Sequence, residues 1–144
     1  MMKVKTIYII VCVLLITVAA GFSSCDKMDD NGDLGGNWQL TSWERLSDGA
    51  ILATNADSIF YTFQGELMKT QRMSSLDFFL ATFRTTADSL VMLRIYASPY
   101  DSVVAPSALA EYGVSPSGRF HFDHLSSSQM VLSTETDRLT FRKY

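Results

Sequence analysis

Two cysteines, three prolines and two histidines are all that 144 residues contain, and these scarcities exclude several classes of protein. So few cysteines rule out a disulfide-stapled scaffold, and two histidines give a zinc site little to draw on. The prolines all fall between Pro99 and Pro116, so no Pro-rich linker divides the chain. Twelve Lys and Arg stand against fifteen Asp and Glu, which argues against a nucleic-acid partner. There is no Gly-x-Ser-x-Gly elbow and no Gly-rich phosphate loop after a strand. Asp and Glu fall chiefly in turns, where turn chemistry alone accounts for them. The chain is therefore read as non-enzymatic, with no metal and no cofactor.

What is present begins at the N-terminus. Lys3 and Lys5 precede an apolar run from Ile7 to Phe22 that is broken only by Thr17. A basic start followed by a short apolar core is the layout of a cleaved secretory signal. A membrane-spanning helix needs roughly 20 apolar residues, and this run reaches Gly21 and two serines before that length.

Phe22-Ser23-Ser24-Cys25 closes the run and resembles the bacterial lipobox, in which the cysteine takes a diacylglyceryl group through its thiolate. The other cysteine, Cys12, lies inside the segment to be removed, so Cys25 has no intramolecular partner. Lipidation at Cys25 is the expectation, with two or three acyl chains, such as palmitate, giving stable anchoring where one would not. Removing Lys3 and Lys5 with the signal leaves ten basic residues against fifteen acidic ones, a net charge near minus five. A polybasic hold on anionic lipid is thereby disfavoured, and the acyl chains become the membrane attachment.

Asp26, Asp29 and Asp30, just after that cysteine, resemble the export signal of surface lipoproteins in the Bacteroidota. That resemblance implies an outer-membrane lipoprotein on the cell surface, with the periplasmic face as the alternative. Residues 25–36 are rich in acid and glycine and read as a flexible tether. The domain division expected is a signal over 1–24, the tether over 25–36 and one folded domain over 37–144.

The folded part reads as all-β. Eight strands are predicted, at 37–46, 57–64, 66–72, 77–85, 89–96, 119–124, 129–135 and 138–144, each rich in aromatic and β-branched residues and separated by turn signals. Apolar residues alternate along them: Ile59, Tyr61 and Phe63; Phe79, Ala81 and Phe83; Val91, Leu93 and Ile95; Phe120 and Phe122; Leu139 and Phe141. Eight antiparallel strands with tight connections favour an up-and-down barrel, because closure removes exposed edges; a two-sheet sandwich is the alternative. In the long 97–118 connection, Ser107 is positioned to cap a short helix stopped by Gly113, which would cover one end of the barrel.

Gly36-Asn37-Trp38 resembles the Gly-x-Trp opening of lipocalins, and the closing strands from Met130 to Tyr144 are similar to those of lipocalin-like lipoproteins of Bacteroidota. The resemblance implies an eight-stranded lipocalin-like barrel. It also implies that Trp38 plugs the closed end, with Arg142 or Lys143 packed over it.

Candidate sites are few. His121 and His124, three apart on a strand, are expected on opposite faces, which argues against a shared metal. Tyr61, Phe63, Phe79, Phe83, Leu93, Phe120, Phe122 and Phe141 are the candidate lining of an apolar cavity, unless they fill the barrel themselves. Asp57-Ser58, Asp88-Ser89 and Asp101-Ser102, each followed by an apolar residue, resemble the O-glycosylation sequon of exported Bacteroidota proteins and mark Ser58, Ser89 and Ser102. Trp43 is either a buried residue or an exposed aromatic for a sugar or partner. Two functions stay open. One is binding of a small hydrophobic ligand in an open cavity; the other is an accessory lipoprotein with a filled barrel and an exposed aromatic patch that contacts a protein or glycan.

Overall fold

The computed structural model describes residues 31–99 and 102–144. The signal segment, Cys25, the acidic run Asp26 to Asp30 and Asp101 lie outside the described residues.

Among the described residues, ten strands form one antiparallel sheet: β1 (Gly36–Arg45), β2 (Ile51–Thr54), β3 (Ile59–Gln64), β4 (Leu67–Arg72), β5 (Phe78–Thr85), β6 (Ser89–Ala97), β7 (Ser102–Val104), β8 (Arg119–Leu125), β9 (Gln129–Ser133) and β10 (Asp137–Lys143). Eight of them follow one another round the sheet in chain order, and β10 pairs with β1 to close the barrel. The two short extras are β2 against β1 and β7 against the end of β6. Both sit in connections expected to be strand-free. Among the described residues no helix is long and apolar enough to cross a membrane.

The barrel wall obeys period-two patterning where its strands are regular. Along β3, Ile59, Tyr61 and Phe63 are buried while Phe60 and Thr62 are half-exposed and Gln64 is exposed. Met68 and Thr70 of β4 and Leu139 and Phe141 of β10 likewise face inward.

Among the described residues, three β-bulges within the eight-stranded wall break that rule, and each sends the residues beyond it to the other face; a fourth irregularity lies in the pairing of β1 with the short β2. In β1, Leu40 pairs with Phe141 but Ser42 pairs with Thr140, leaving Thr41 as the extra residue. Trp43 is turned inward by this shift and packs against the core, so it is not an exposed platform. In β6, Met92 pairs with Phe83 and Arg94 with Thr82, so Leu93 is extra. Leu90, Met92 and Ile95 are the buried residues there, in place of the expected set Val91, Leu93 and Ile95. In β8, Asp123 is extra, because Phe122 pairs with Leu132 and His124 with Val131. His121 and His124 therefore share the outer face, contrary to expectation, and both are exposed.

The fold starts earlier than the expected tether boundary. Gly32–Leu34 forms a 3-10 turn whose Leu34 is buried, and β1 begins at Gly36. Asn31 Nδ2 donates to the Gly65 carbonyl at 2.8 Å. Residues 31–36 thus belong to the domain.

This turn forms the closed end of the barrel. The Trp38 side chain is fully buried, and its Nε1 donates to the Leu34 carbonyl at 2.8 Å. Lys143 Nζ stands 4.5 Å from the centroid of the Trp38 ring system and donates to the carbonyls of Asp33 and Gly35. Of the two basic candidates, Lys143 covers Trp38, whereas Arg142 turns outward to Gln39.

At the opposite end, the expected helix is a 3-10 segment, Pro106–Tyr112, with a kink at Leu109. Ala105 occupies its N-cap position, followed by Pro106 at the start, where proline's fixed φ fits and its missing N–H costs nothing. Ser107 is not the cap. Gly113 ends the segment in the left-handed conformation, as the sequence predicted.

Candidate functional site

The rings proposed as cavity walls pack against one another. Tyr61, Phe63 and Phe141 have no exposed surface, and Phe83 and Phe120 are buried with them. The Tyr61 ring centroid lies 4.7 Å from that of Phe141 and 6.2 Å from that of Phe120, and Phe63 meets Phe83 edge-to-face at 5.4 Å. A side chain bordering a void large enough for water would show accessible surface, and these three show none. Phe79 and Phe122 are half-buried against this cluster. Leu93 is 54% exposed at its bulge and is not part of the interior.

The mouth of the barrel is filled by the Pro106–Tyr112 segment and the residues after it. Leu109, Tyr112 and Val114 are buried, and the Tyr112 ring meets Phe79 edge-to-face at 5.7 Å. Arg72 reaches over this plug, its guanidinium 5.8 Å from the Tyr112 centroid and its Nη2 donating to the Glu111 carbonyl at 3.5 Å. Tyr61 donates its hydroxyl to the Tyr112 carbonyl at 2.7 Å. Burial pushes the Tyr61 phenol far above its ordinary pKa, so it stays a donor at every accessible pH. Thr70, directly opposite Tyr61 on β4, is fully buried, and its hydroxyl has no hydrogen-bond partner.

On the outer wall, β8 and β9 bring together three residues the sequence did not associate. His121 Nδ1 lies 2.9 Å from Asp123 Oδ1, and Ser133 donates to that same oxygen at 2.9 Å. Burial works to raise the Asp123 pKa, but the His121 and Ser133 hydrogen bonds, with the nearby charges of His121 and Arg138, outweigh it and hold it below the ordinary value. A nucleophilic triad needs the serine to donate to the imidazole and the imidazole to the carboxylate. Here serine and histidine both converge on the carboxylate, so the serine is not activated. Among the described residues, no three His, Cys, Asp or Glu side chains group to hold a metal ion.

A second outer surface spans β10, β1, β3 and β4. Register places Arg142 beside Gln39, Phe60 beside Gln39, and Gln71 beside Phe60 in one row. The neighbouring row carries Asn37, Thr62 and Lys69, and Tyr144 closes it by donating its backbone N–H to the Asn37 carbonyl at 2.9 Å. Together they line a groove of about 560 Å³. Tyr144 is 76% exposed and packs edge-to-face on Phe60 at 5.2 Å. Arg142 is fixed by two donations to Gln39 Oε1, at 3.0 and 2.8 Å, and Thr62 donates to Asn37 Oδ1 at 2.8 Å. The sequence held one signal of this surface: Phe60 is an aromatic at an outward position between Ile59 and Tyr61, which alternation alone would fill with a polar residue.

The three glycosylation candidates differ in setting. Ser58 is half-buried in this groove with φ 52°, Ser89 shares a 2.7 Å hydrogen bond with Thr86, and Ser102 is exposed at the start of β7.

A closed antiparallel barrel of eight strands, sealed by a Gly-x-Trp strand under a lysine, matches a lipocalin-like domain family over residues 20–144. The chain belongs to that family. It is similar to a lipocalin-like protein from Bacteroides uniformis, with 27% identity over 78% of this chain and all of that one, at a TM-score of 0.60. An uncharacterised protein from Bacteroides eggerthii is 25% identical over 77% of this chain and 99% of its own, at a TM-score of 0.55. No functionally curated protein matches. The two lipocalin-like features quoted from the sequence, Trp38 and the closing strands, are the ones that seal the barrel.

Proposed function

We propose that this lipocalin-like domain is a non-enzymatic module, anchored in the outer membrane by acyl chains on Cys25, that recognises its partner with the outside of a filled barrel. The observation that carries the reading is the complete burial of Tyr61, Phe63 and Phe141 beneath a plug formed by the chain itself. A small hydrophobic ligand would need the volume these rings and Tyr112 occupy. Exposed Tyr144, packed on half-buried Phe60, supplies the alternative contact surface.

Anchoring rests on the lipobox resemblance, and the acidic run after Cys25 favours the surface leaflet over the periplasmic one. Cys25→Ser should move the protein from the detergent phase to the aqueous phase in a Triton partition; unchanged partitioning would remove the anchor from the proposal.

One observation favours a second reading. Thr70 keeps an unpartnered hydroxyl beneath the plug, where a polar ligand group would satisfy it if the plug swung aside. Native mass spectrometry of protein purified from its own envelope separates the two readings. A bare lipidated mass is expected, and a co-purifying small hydrophobic molecule would overturn the outer-surface reading.

A further inference from the structure

The groove on β10, β1, β3 and β4 carries a chemical pattern that the other hollows lack. A larger one, about 650 Å³, between Leu46 and Asp137 mixes Arg45 with Glu135 and Asp137 and contains no aromatic residue. The β10 to β4 groove has Lys69 and Arg142 as its cations and no Asp or Glu side chain. Among the described residues neither cation has an acidic side-chain partner, and on a chain with a net charge of −3 this marks a local site for negative charge.

The positions of those cations define the ligand further. Arg142 lies on β10 and Lys69 on β4, three strand spacings and one row apart, which is about 16 Å between their backbones, a span that the two long side chains can shorten. Two of Arg142's five N–H donors go to Gln39, leaving three to point at a ligand. Lys69 Nζ sits 4.6 Å from the Phe78 centroid and keeps its donors for a ligand. Between the two cations stand the Thr62 hydroxyl and the Phe60–Tyr144 ring pair, with the Gln71 amide beside Lys69 on β4. A ligand matched to this surface has more than one negative charge, hydroxyl groups between the charges and an apolar face that packs on a ring.

An extended peptide fits less well. Peptides commonly bind sheets by adding a strand to an open edge, and β1 is already paired with β10 on one side and with β3 on the other. Recognition here must come from side chains alone. Sugar rings present hydroxyls to amides and C–H faces to aromatic rings.

We propose that this outer face binds an acidic oligosaccharide, one with carboxylates on successive sugar rings, which rests on and deepens the outer-surface reading above. The carboxylates pair with Lys69 and Arg142, a ring face lies on Tyr144, and Gln71 and Thr62 hydrogen-bond the hydroxyls. The groove's volume falls within the range of about 300–1,000 Å³ typical of small-molecule sites.

The test is calorimetric titration of the full-length protein in detergent with trigalacturonate, maltotriose and hexaglutamate. Trigalacturonate should bind, with added salt weakening it, and maltotriose should bind at least about tenfold more weakly, as expected when charge-assisted hydrogen bonds are lost. Lys69→Gln and Tyr144→Ala should each weaken trigalacturonate by about tenfold. No binding of trigalacturonate, equal binding of maltotriose, hexaglutamate binding as tightly as the sugar acid, or unchanged binding by both variants would each overturn the proposal. Failure here with a bare mass in the native spectrum leaves an outer-surface role standing. A barrel-bound ligand in that spectrum removes the role itself.

Discussion

Replacing Gly113 with alanine probes the docking of the plug more directly than any other single change. Gly113 has φ +87°, and a Cβ built there would lie 2.8 Å from Leu139 Cδ2 and 3.0 Å from Cδ1. Leu139 is fully buried on β10, so it has little room to retreat. The left-handed backbone costs an L-residue about 1–2 kcal/mol, and forcing a methyl group into a packed site adds about 1–3 kcal/mol. Gly113→Ala should therefore destabilise the full chain by about 2–5 kcal/mol. The control is Gly65→Ala in the β3–β4 turn, where φ is +56° but nothing lies within 4 Å of the added Cβ; only the backbone cost of about 1–2 kcal/mol applies there. Urea unfolding followed by tryptophan fluorescence reads both, the comparison being made at constant slope. Leu139→Ala should cost less in the Gly113→Ala background than in the parent chain, because the two sites share the clash and their costs are not additive. If Gly113→Ala and Gly65→Ala differ by less than about 0.5 kcal/mol, the plug is not held against Leu139 and the account of a sealed mouth fails.

Three further outcomes follow from the interior and the rim. Tyr61→Phe leaves the buried Tyr112 carbonyl without its donor and should cost about 1–3 kcal/mol in the same unfolding assay; a neutral result would mean water replaces the hydroxyl. Thr70→Val should instead stabilise, by about 1 kcal/mol, because it removes a buried hydroxyl that makes no hydrogen bond; destabilisation would reveal an unseen partner. Glu135 is held below its ordinary value of 4.5 by the Ser117 hydroxyl, with help from its own backbone amide and Ser115. A depressed carboxyl lends stability above its unfolded pKa and loses it as pH falls through the folded one. The urea midpoint should therefore drop below about pH 4.5, with a shallower drop in Ser117→Ala, and equal slopes in the two proteins would discount that hydrogen bond.

Sequence patterning read the barrel well because eight strands alternate apolar and polar residues around turn residues, and such alternation is the direct imprint of a wall with one wet face. It read individual side chains well only as far as the first bulge. Thr41, Leu93 and Asp123 are each one residue too many for their partner strand, and nothing in their identities announces this. Alternation alone consequently assigns Leu93 to the interior, leaves Trp43 undecided and separates His121 from His124, which share a face. The short strands β2 and β7 escaped notice because a run of three or four residues is too brief for a period to register. Leu34 reads as tether because its neighbours are glycine and acid, yet nearby Trp38 holds its carbonyl and Lys143, from far along the chain, holds that of Asp33. The outer groove depends on cross-strand register, which no single strand encodes, and only the misplaced aromatic Phe60 hinted at it.

The pairing of the first barrel strand with the last has a kinetic consequence. Gln39 and Arg142, joined side chain to side chain, are 103 residues apart, and the lysine that seals Trp38 reaches back over a similar distance to Asp33. Such long loops must close before their contacts reward closure, which slows folding relative to helical domains of the same size. Until β10 is in place, β1 and β9 each present an unpaired edge able to recruit strands from other chains. Closure by β10 thus protects both edges together, and shortening the chain by even the last strand would expose two adhesive edges at once.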